Sequence, residues 1–199
     1  MISKKYITLA LIFLGVVQVT FSVLDTVDGK DFSGNSVRPD RKMVSGLQEM
    51  SSILKICRSN REVLQEDSKC AHLQEFLNKG RDKVFCRAVE EAGVIKGYVA
   101  GINPTANRRN PEEGHIHHLV VSEGSCRQGL GSLLLGEAEN VVSNMGGNKV
   151  SLALLKSNVK VLGFYSRFGY RFNPNVMKVM IGLGSNDCLY LRKELVIND

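Results

Sequence analysis

Val121-Ser122-Glu123-Gly124-Ser125-Cys126-Arg127-Gln128-Gly129-Leu130-Gly131-Ser132 is the most informative stretch of this chain. A β-rich run, His115 to Val121, ends in a short glycine loop. Apolar residues at helical spacing then begin at once: Leu130, Leu133, Leu134, Ala138, Val141, Val142 and Met145. Glycine lets backbone approach a ligand closely, and the first N–H groups of a helix have no intrahelical acceptor. Those donors, together with the helix dipole, suit a pyrophosphate. Glycines also simply start helices, so the loop alone leaves both readings open. It is not a dinucleotide fingerprint, because no third glycine follows Gly129 and Gly131 at the right place, and it lacks the Gly-Lys-Ser/Thr ending of a P-loop.

Upstream of the loop the period is two. Val84 to Val89 and Val94 to Ala100 are β-rich runs joined through Glu91-Ala92-Gly93, a hairpin signal. Before them, Leu47, Met50, Ile53, Leu54 and Cys57 predict one helix. A second spans about Glu66 to Asn78 and ends at Gly80. A short strand is expected around Val37. Downstream, the loop's helix stops at Gly146-Gly147, Val150, Leu152 and Leu154 alternate as a strand, Asn158 to Phe168 reads as helical, and Cys188 to Leu195 makes a last strand. The order is β-α-α-β-β-β-α-β-α-β, an α/β fold with a sheet of mixed direction.

The chain of 199 residues suits one domain with a real core. Its net charge is +6, with two of the cations at Lys4 and Lys5. No basic stripe interleaved with aromatics is present, which argues against a nucleic-acid binder; a cofactor carrying several phosphates would welcome the mild surplus. Cys57, Cys70, Cys86, Cys126 and Cys188 are odd in number and without a CxxC pair, so neither a disulfide framework nor a zinc site is indicated.

The amino terminus differs in kind. Lys4 and Lys5 precede an uncharged run from Tyr6 to Leu24, with Thr20 and Ser22 spaced as in a cleavage site. Residues 1–24 therefore resemble a signal peptide or a membrane anchor, with attachment through residues 6–24 if uncleaved. Residues 25–35, polar and containing Gly29 and Gly34, read as a linker. The expected location is secreted or membrane-anchored, with a cytoplasmic chain as the remaining reading. The segment is expected to be separable from a domain that is monomeric or a homodimer.

With these blocks in place, the sequence resembles the GNAT superfamily of N-acetyltransferases. Its signature, Arg/Gln-x-x-Gly-x-Gly/Ala between the fourth strand and third helix, falls on Cys126-Arg127-Gln128-Gly129-Leu130-Gly131. Val37-Arg38-Pro39 resembles the family's first strand, Ala88 through Tyr98 its second and third, and Ile116-His117-His118-Leu119-Val120-Val121 its fourth. Asn158 through Phe164-Tyr165-Ser166-Arg167-Phe168-Gly169-Tyr170 resembles its second block, and Leu189 to Leu195 its closing strand. The likeness covers residues 36–195, within an acetyltransferase domain at 36–197. Cys126 departs from the pattern, since Arg or Gln is usual there, and removes one polar contact near the pyrophosphate.

The resemblance implies a GNAT fold: a mixed, mostly antiparallel sheet flanked by helices, with acetyl-CoA in a cleft where the fourth and fifth strands splay. The pantetheine arm would pair with Leu119, Val120 and Val121. The pyrophosphate would meet Arg127, Gln128, Gly129, Leu130, Gly131 and Ser132, and Asn158 would contact the cofactor from the second block. A small-molecule or peptide amine would attack the thioester directly. Tyr165 would assist thiolate departure, or else serve as a core aromatic beside Phe164. His115, six residues before Val121, occupies a position where some members place a catalytic glutamate. It could take the amine's proton, or pack while water does so. Metal binding by His115, His117 and His118 is not expected, because no carboxylate or thiol completes a site. The rival class is a catalytically silent, GNAT-like module of the cell envelope. Glu112-Glu113 would attract a cationic acceptor and Arg108-Arg109 an acidic one.

Overall fold

Ala92 and Gly93 both take positive φ, +51° and +75°, making the two-residue turn that matches strand twist. That turn joins β3 (Val84–Glu91) to β4 (Val94–Ile102) as the predicted antiparallel hairpin. The computed structural model describes residues 16–20, 41–46, 48–59, 68–80, 82–107, 110–174 and 188–196. In chain order the elements are β1 (Val16–Thr20), β2 (Arg41–Ser45), α1 (Met50–Ser59), α2 (Ser68–Leu77), β3, β4, β5 (Glu113–Val121), α3 (Leu130–Asn144), β6 (Lys149–Leu155), α4 (Leu162–Arg167), β7 (Arg171–Phe172) and β8 (Cys188–Glu194).

Among the described residues the strands form one sheet in the order β2-β3-β4-β5-β1-β6-β8-β7. Pairing is antiparallel from β2 through β5 and from β6 through β7, and parallel at the centre. This is the expected mixed sheet, mostly antiparallel and flanked by helices.

Alternation along the strands builds two cores. Phe85, Val89, Val99, Ile116, Leu119 and Val121 face α3, whose Leu130, Leu134, Leu135, Ala138, Val141 and Val142 are buried against them. Cys86, Ala88, Tyr98, Ala100 and Val120 face Ile53, Leu54, Cys57, Leu73 and Phe76 of α1 and α2. Each buried leucine stabilises the fold by roughly 2 kcal/mol over leaving it in water. Gly114 is dictated by this packing, because a β-carbon there would run into the Val142 side chain.

At three places the sequence reading and the described structure do not coincide. The strand expected around Val37-Arg38-Pro39 lies outside the described residues, among which the first strand after the linker is β2, from Arg41. The helix expected from Asn158 is a 3-10 stretch, Lys156–Val161, kinked at Asn158 where φ/ψ is non-helical, followed by α4. Asparagine is a weak helix former, in keeping with a kink there.

The third difference is the largest. The apolar amino-terminal run is expected to stand apart from the sheet, yet five of its residues, Val16–Thr20, lie in it as β1. β5 and β6 pair in parallel only from Glu113↔Lys149 to Ile116↔Leu152, and β1 runs parallel to both beyond that point. Diverging strands expose unpaired backbone N–H and C=O groups, and an uncharged run can satisfy them without stranding a charge. The rest of residues 1–24 and the linker at 25–35 lie outside the described residues. No helix among the described residues is long and apolar enough to cross a membrane.

Candidate active site

β5 delivers the glycine loop. Ser122 N donates to Lys96 O at 2.8 Å, and a 3-10 turn, Glu123–Ser125, follows, with Ser125 N on Ser122 O at 2.9 Å. Arg127 (φ +62°) and Gly129 (φ +77°) then reverse the chain into α3. The first rung of α3 is Leu133 N to Gly129 O at 3.0 Å, so the N–H groups of Leu130, Gly131 and Ser132 precede any intrahelical acceptor. No heavy atom lies within 4 Å of where a Gly129 β-carbon would be. The loop is thus an open cradle of amide donors at the positive end of a helix, with the exposed Arg127 on its rim. Arginine in the left-handed region costs about 1–2 kcal/mol, so the surrounding loop must hold it there.

Arg41 of β2 supplies part of that hold, a contact the sequence did not reveal. Its Nη1 donates to Gln128 O at 3.1 Å and its Nη2 to Gln128 Oε1 at 3.3 Å, while its Nε pairs with Glu91 at 2.9 Å. Gln128 Nε2 reaches back to Gly124 O at 3.4 Å. The Gln128 side chain, expected at the cofactor, therefore shapes the loop. Cys126 also turns inward: half-buried against the α3 core, its thiol lies 3.6 Å from Ser122 O.

The fork between β5 and β6 opens one rung past a polar cluster. His115 pairs with Ser151 across the last rungs before Ile116↔Leu152. The His115 Nδ1 lies 2.9 Å from Ser151 Oγ and 3.2 Å from Tyr190 Oη, the two hydroxyls are 3.2 Å apart, and the Tyr190 ring stacks on the imidazole. Ser151 Oγ also donates to Gly114 O at 3.4 Å, so the imidazole, the two hydroxyls and a backbone carbonyl form one cluster. His117 stands edge-on to His115, its own Nε2 buried without a partner. Burial, then the neighbouring His115, His118 and Lys79, hold its pKa well below the ordinary histidine value.

Tyr165 of α4 is fully buried in the cluster that also contains Leu119 of β5 and Leu154 of β6. Its hydroxyl has no hydrogen-bond partner, and burial pushes its pKa far up, so it stays protonated.

A family model for the GNAT acetyltransferases matches residues 47–170. The chain belongs to the GNAT acetyltransferase family. It is accordingly an acyltransferase of the N-acetyltransferase type. Solved GNAT folds superpose on most of it. Ard1 from Thermoplasma volcanium is 17% identical with a TM-score of 0.61, covering 79% of this chain and 99% of its own. The ribosomal-protein-S18-alanine N-acetyltransferase from Escherichia coli is 12% identical, TM-score 0.60, covering 80% and 96%. An aminoglycoside 6'-N-acetyltransferase solved with coenzyme A is 14% identical, TM-score 0.59, covering 79% and 99%. No curated protein matches the chain by sequence.

Within the GNAT frame, the structure brings the named residues to two places. Leu119, Val120 and Val121 run along β5 into the loop at Arg127 to Ser132, His115 stands one rung before the fork, and Tyr165 lies in the core cluster that holds Leu119 and Leu154. Asn158 lies at the kink within Lys156–Val161. Glu112 and Glu113 are already engaged. Glu112 pairs with Lys149 at 3.1 Å, and the hydrogen bonds from Lys149 and Asn148 lower its pKa. Glu113 is buried, 3.0 Å from Asn110 Nδ2 and 3.7 Å from Arg192. Arg108-Arg109 lie outside the described residues.

Proposed function

We propose that this GNAT domain transfers the acetyl group of acetyl-CoA to a primary amine by direct attack. One observation carries the reading: parallel β5 and β6 part after Ile116↔Leu152, and β5 runs from that fork straight into an open loop of amide donors. Leu119 to Val121 would align the pantetheine arm, and the amides of Leu130, Gly131 and Ser132, with Arg127 and Gly129, would take the pyrophosphate. Asn158, at the kink ahead of α4, would add a contact to the cofactor.

The amine lone pair forms the C–N bond at the thioester carbonyl and the C–S bond breaks. Tyr165, kept protonated by burial, donates a hydrogen bond to the departing thiolate, which leaves as the CoA thiolate and is protonated by solvent. A buried hydroxyl without a partner costs about 1–3 kcal/mol, and a thiolate in the fork would relieve that cost in the transition state. His115 takes the proton released by the amine, its ring held in place by Ser151 and Tyr190. Only the acceptor class, a primary amine, enters the reading.

The test is release of free CoA thiol from acetyl-CoA with a panel of amines, including lysine and peptide amino termini. It is run on the native chain and on a chain in which β1 is displaced. Turnover in either form, lost on replacing Tyr165, is the expected result. No thiol release in either form with any amine would leave a silent GNAT module.

A further inference from the structure

We infer that Val16–Thr20 is an autoinhibitory strand: it fills the fork that acetyl-CoA must enter, and the enzyme acts only once that strand has left. The inference rests on the acetyl-CoA reading above.

The register makes the competition direct. On one side β1 pairs Gln18↔His118, Val19↔Leu119 and Thr20↔Val120, and on the other Val16↔Ala153 and Val17↔Leu154. Leu119 and Val120 are two of the three residues expected to pair with the pantetheine arm. Their opposite edge is already taken by β4, through Val99↔Leu119 and Tyr98↔Val120. With β1 in place, β5 has no free edge there. A backbone group cannot serve the ladder and a ligand amide together, so occupancy by β1 and by the cofactor is mutually exclusive. β1 also touches the 3-10 stretch, Lys156–Val161, that leads into α4 and Tyr165.

β1 is short: among the described residues it has five residues, paired in parallel with β5 at three and with β6 at two. Residues 21–40 join it to β2, a stretch able to span up to roughly 66 Å when extended, so β1 can leave without dragging β2 out of the sheet. Thr20 and Ser22, the pair spaced like a processing site, stand at its carboxyl end. A cut after Ser22 would detach the strand from the domain and couple amino-terminal processing to activation.

The experiment compares the full native chain with the full chain carrying Gln18→Pro and Val19→Pro. Successive strand residues address opposite neighbours, so the two prolines remove one ladder donor on each side. Acetyl-CoA is titrated calorimetrically into both forms, and amide exchange is followed in the native chain. The expected result is affinity at least about tenfold higher in the proline variant, because a docked strand lowers apparent affinity by the fraction of open molecules. In the native chain, saturating acetyl-CoA should strip protection from residues 16–20 while Leu130 to Ser132 gain it. Equal affinities, or residues 16–20 still protected with acetyl-CoA bound, overturn the inference and leave the acyl-transfer reading standing. Absence of binding in both forms overturns the acetyl-CoA reading itself, and the autoinhibitory role with it. Should the prolines unfold the chain, a protease site placed within residues 25–35 supplies the same comparison before and after cutting.

Discussion

Arg41 and Gln128, 87 residues apart, are joined twice: one guanidinium nitrogen donates to the Gln128 backbone oxygen and another to its side-chain oxygen. This clamp ties the edge strand β2 to the loop before α3. Arg41→Ala should let the loop relax without removing any donor that meets the cofactor. The expected outcome is an acetyl-CoA Kd raised about tenfold, in line with ~1.5 kcal/mol for a hydrogen bond to a charged group. Calorimetry on the β1-displaced chain checks it, and an unchanged Kd would reduce Arg41 to an ion pair with Glu91.

Gly129 sits at φ +77° with open space where a side chain would begin. Gly129→Leu should fill the cradle and also strain the left-handed turn. Acetyl-CoA binding should be lost while the chain still melts cooperatively. Unchanged affinity in a folded variant would move the pyrophosphate elsewhere.

Cys126, which stands where GNAT proteins usually carry Arg or Gln, folds its thiol back toward Ser122 O. Cys126→Gln or Cys126→Arg should hold or raise acetyl-CoA affinity, since each adds a polar group at the loop. A clear loss of affinity in both, read by calorimetry, would give the inward-turned thiol a role of its own in shaping the turn.

In the proposed mechanism Tyr165 acts on the leaving group, so its hydroxyl should matter in the transition state and little in the ground state. Tyr165→Phe should lower kcat by roughly tenfold to ten-thousandfold with a similar KM for acetyl-CoA. The buried hydroxyl has no partner to lose, so the melting temperature should not fall. Full activity in the Phe variant would make Tyr165 a packing residue.

His117 supplies the pH dependence of stability. Its folded pKa lies well below the unfolded value of about 6.5, so its neutral form is fully compatible with the fold above that pH. As pH falls below about 6.5 the unfolded chain binds a proton that the folded chain refuses, and stability drops by up to about 1.4 kcal/mol per pH unit. His117→Gln should flatten this slope between pH 6.5 and 5 in chemical-denaturation curves. An identical slope in the variant would assign the acid sensitivity to other groups.

From residue 82 onward nearly every element was legible in the chain, because periodicity and turn chemistry are local. Ala92-Gly93 makes the turn that its residues favour, and the α3 face repeats its apolar positions until Gly146 (φ +79°) ends the helix. The glycine loop was legible for the same reason, since a strand end, three glycines and a helix start lie within twelve residues. Asn158 kinks the 3-10 stretch ahead of α4 where its neighbours' pattern continues a helix, in keeping with asparagine's weak helix propensity. The Arg41 clamp, the His115–Ser151–Tyr190 contact and the orphaned Tyr165 hydroxyl were beyond reach, because each depends on which strands become neighbours and not on composition nearby. The same holds for β1. Residues 16–20 lie in a run that reads as a targeting segment; the β-branched Val16, Val17, Val19 and Thr20 favour a strand, but nothing local assigns a partner to them. Only the parting of β5 and β6 creates the unpaired edges that an uncharged segment can fill.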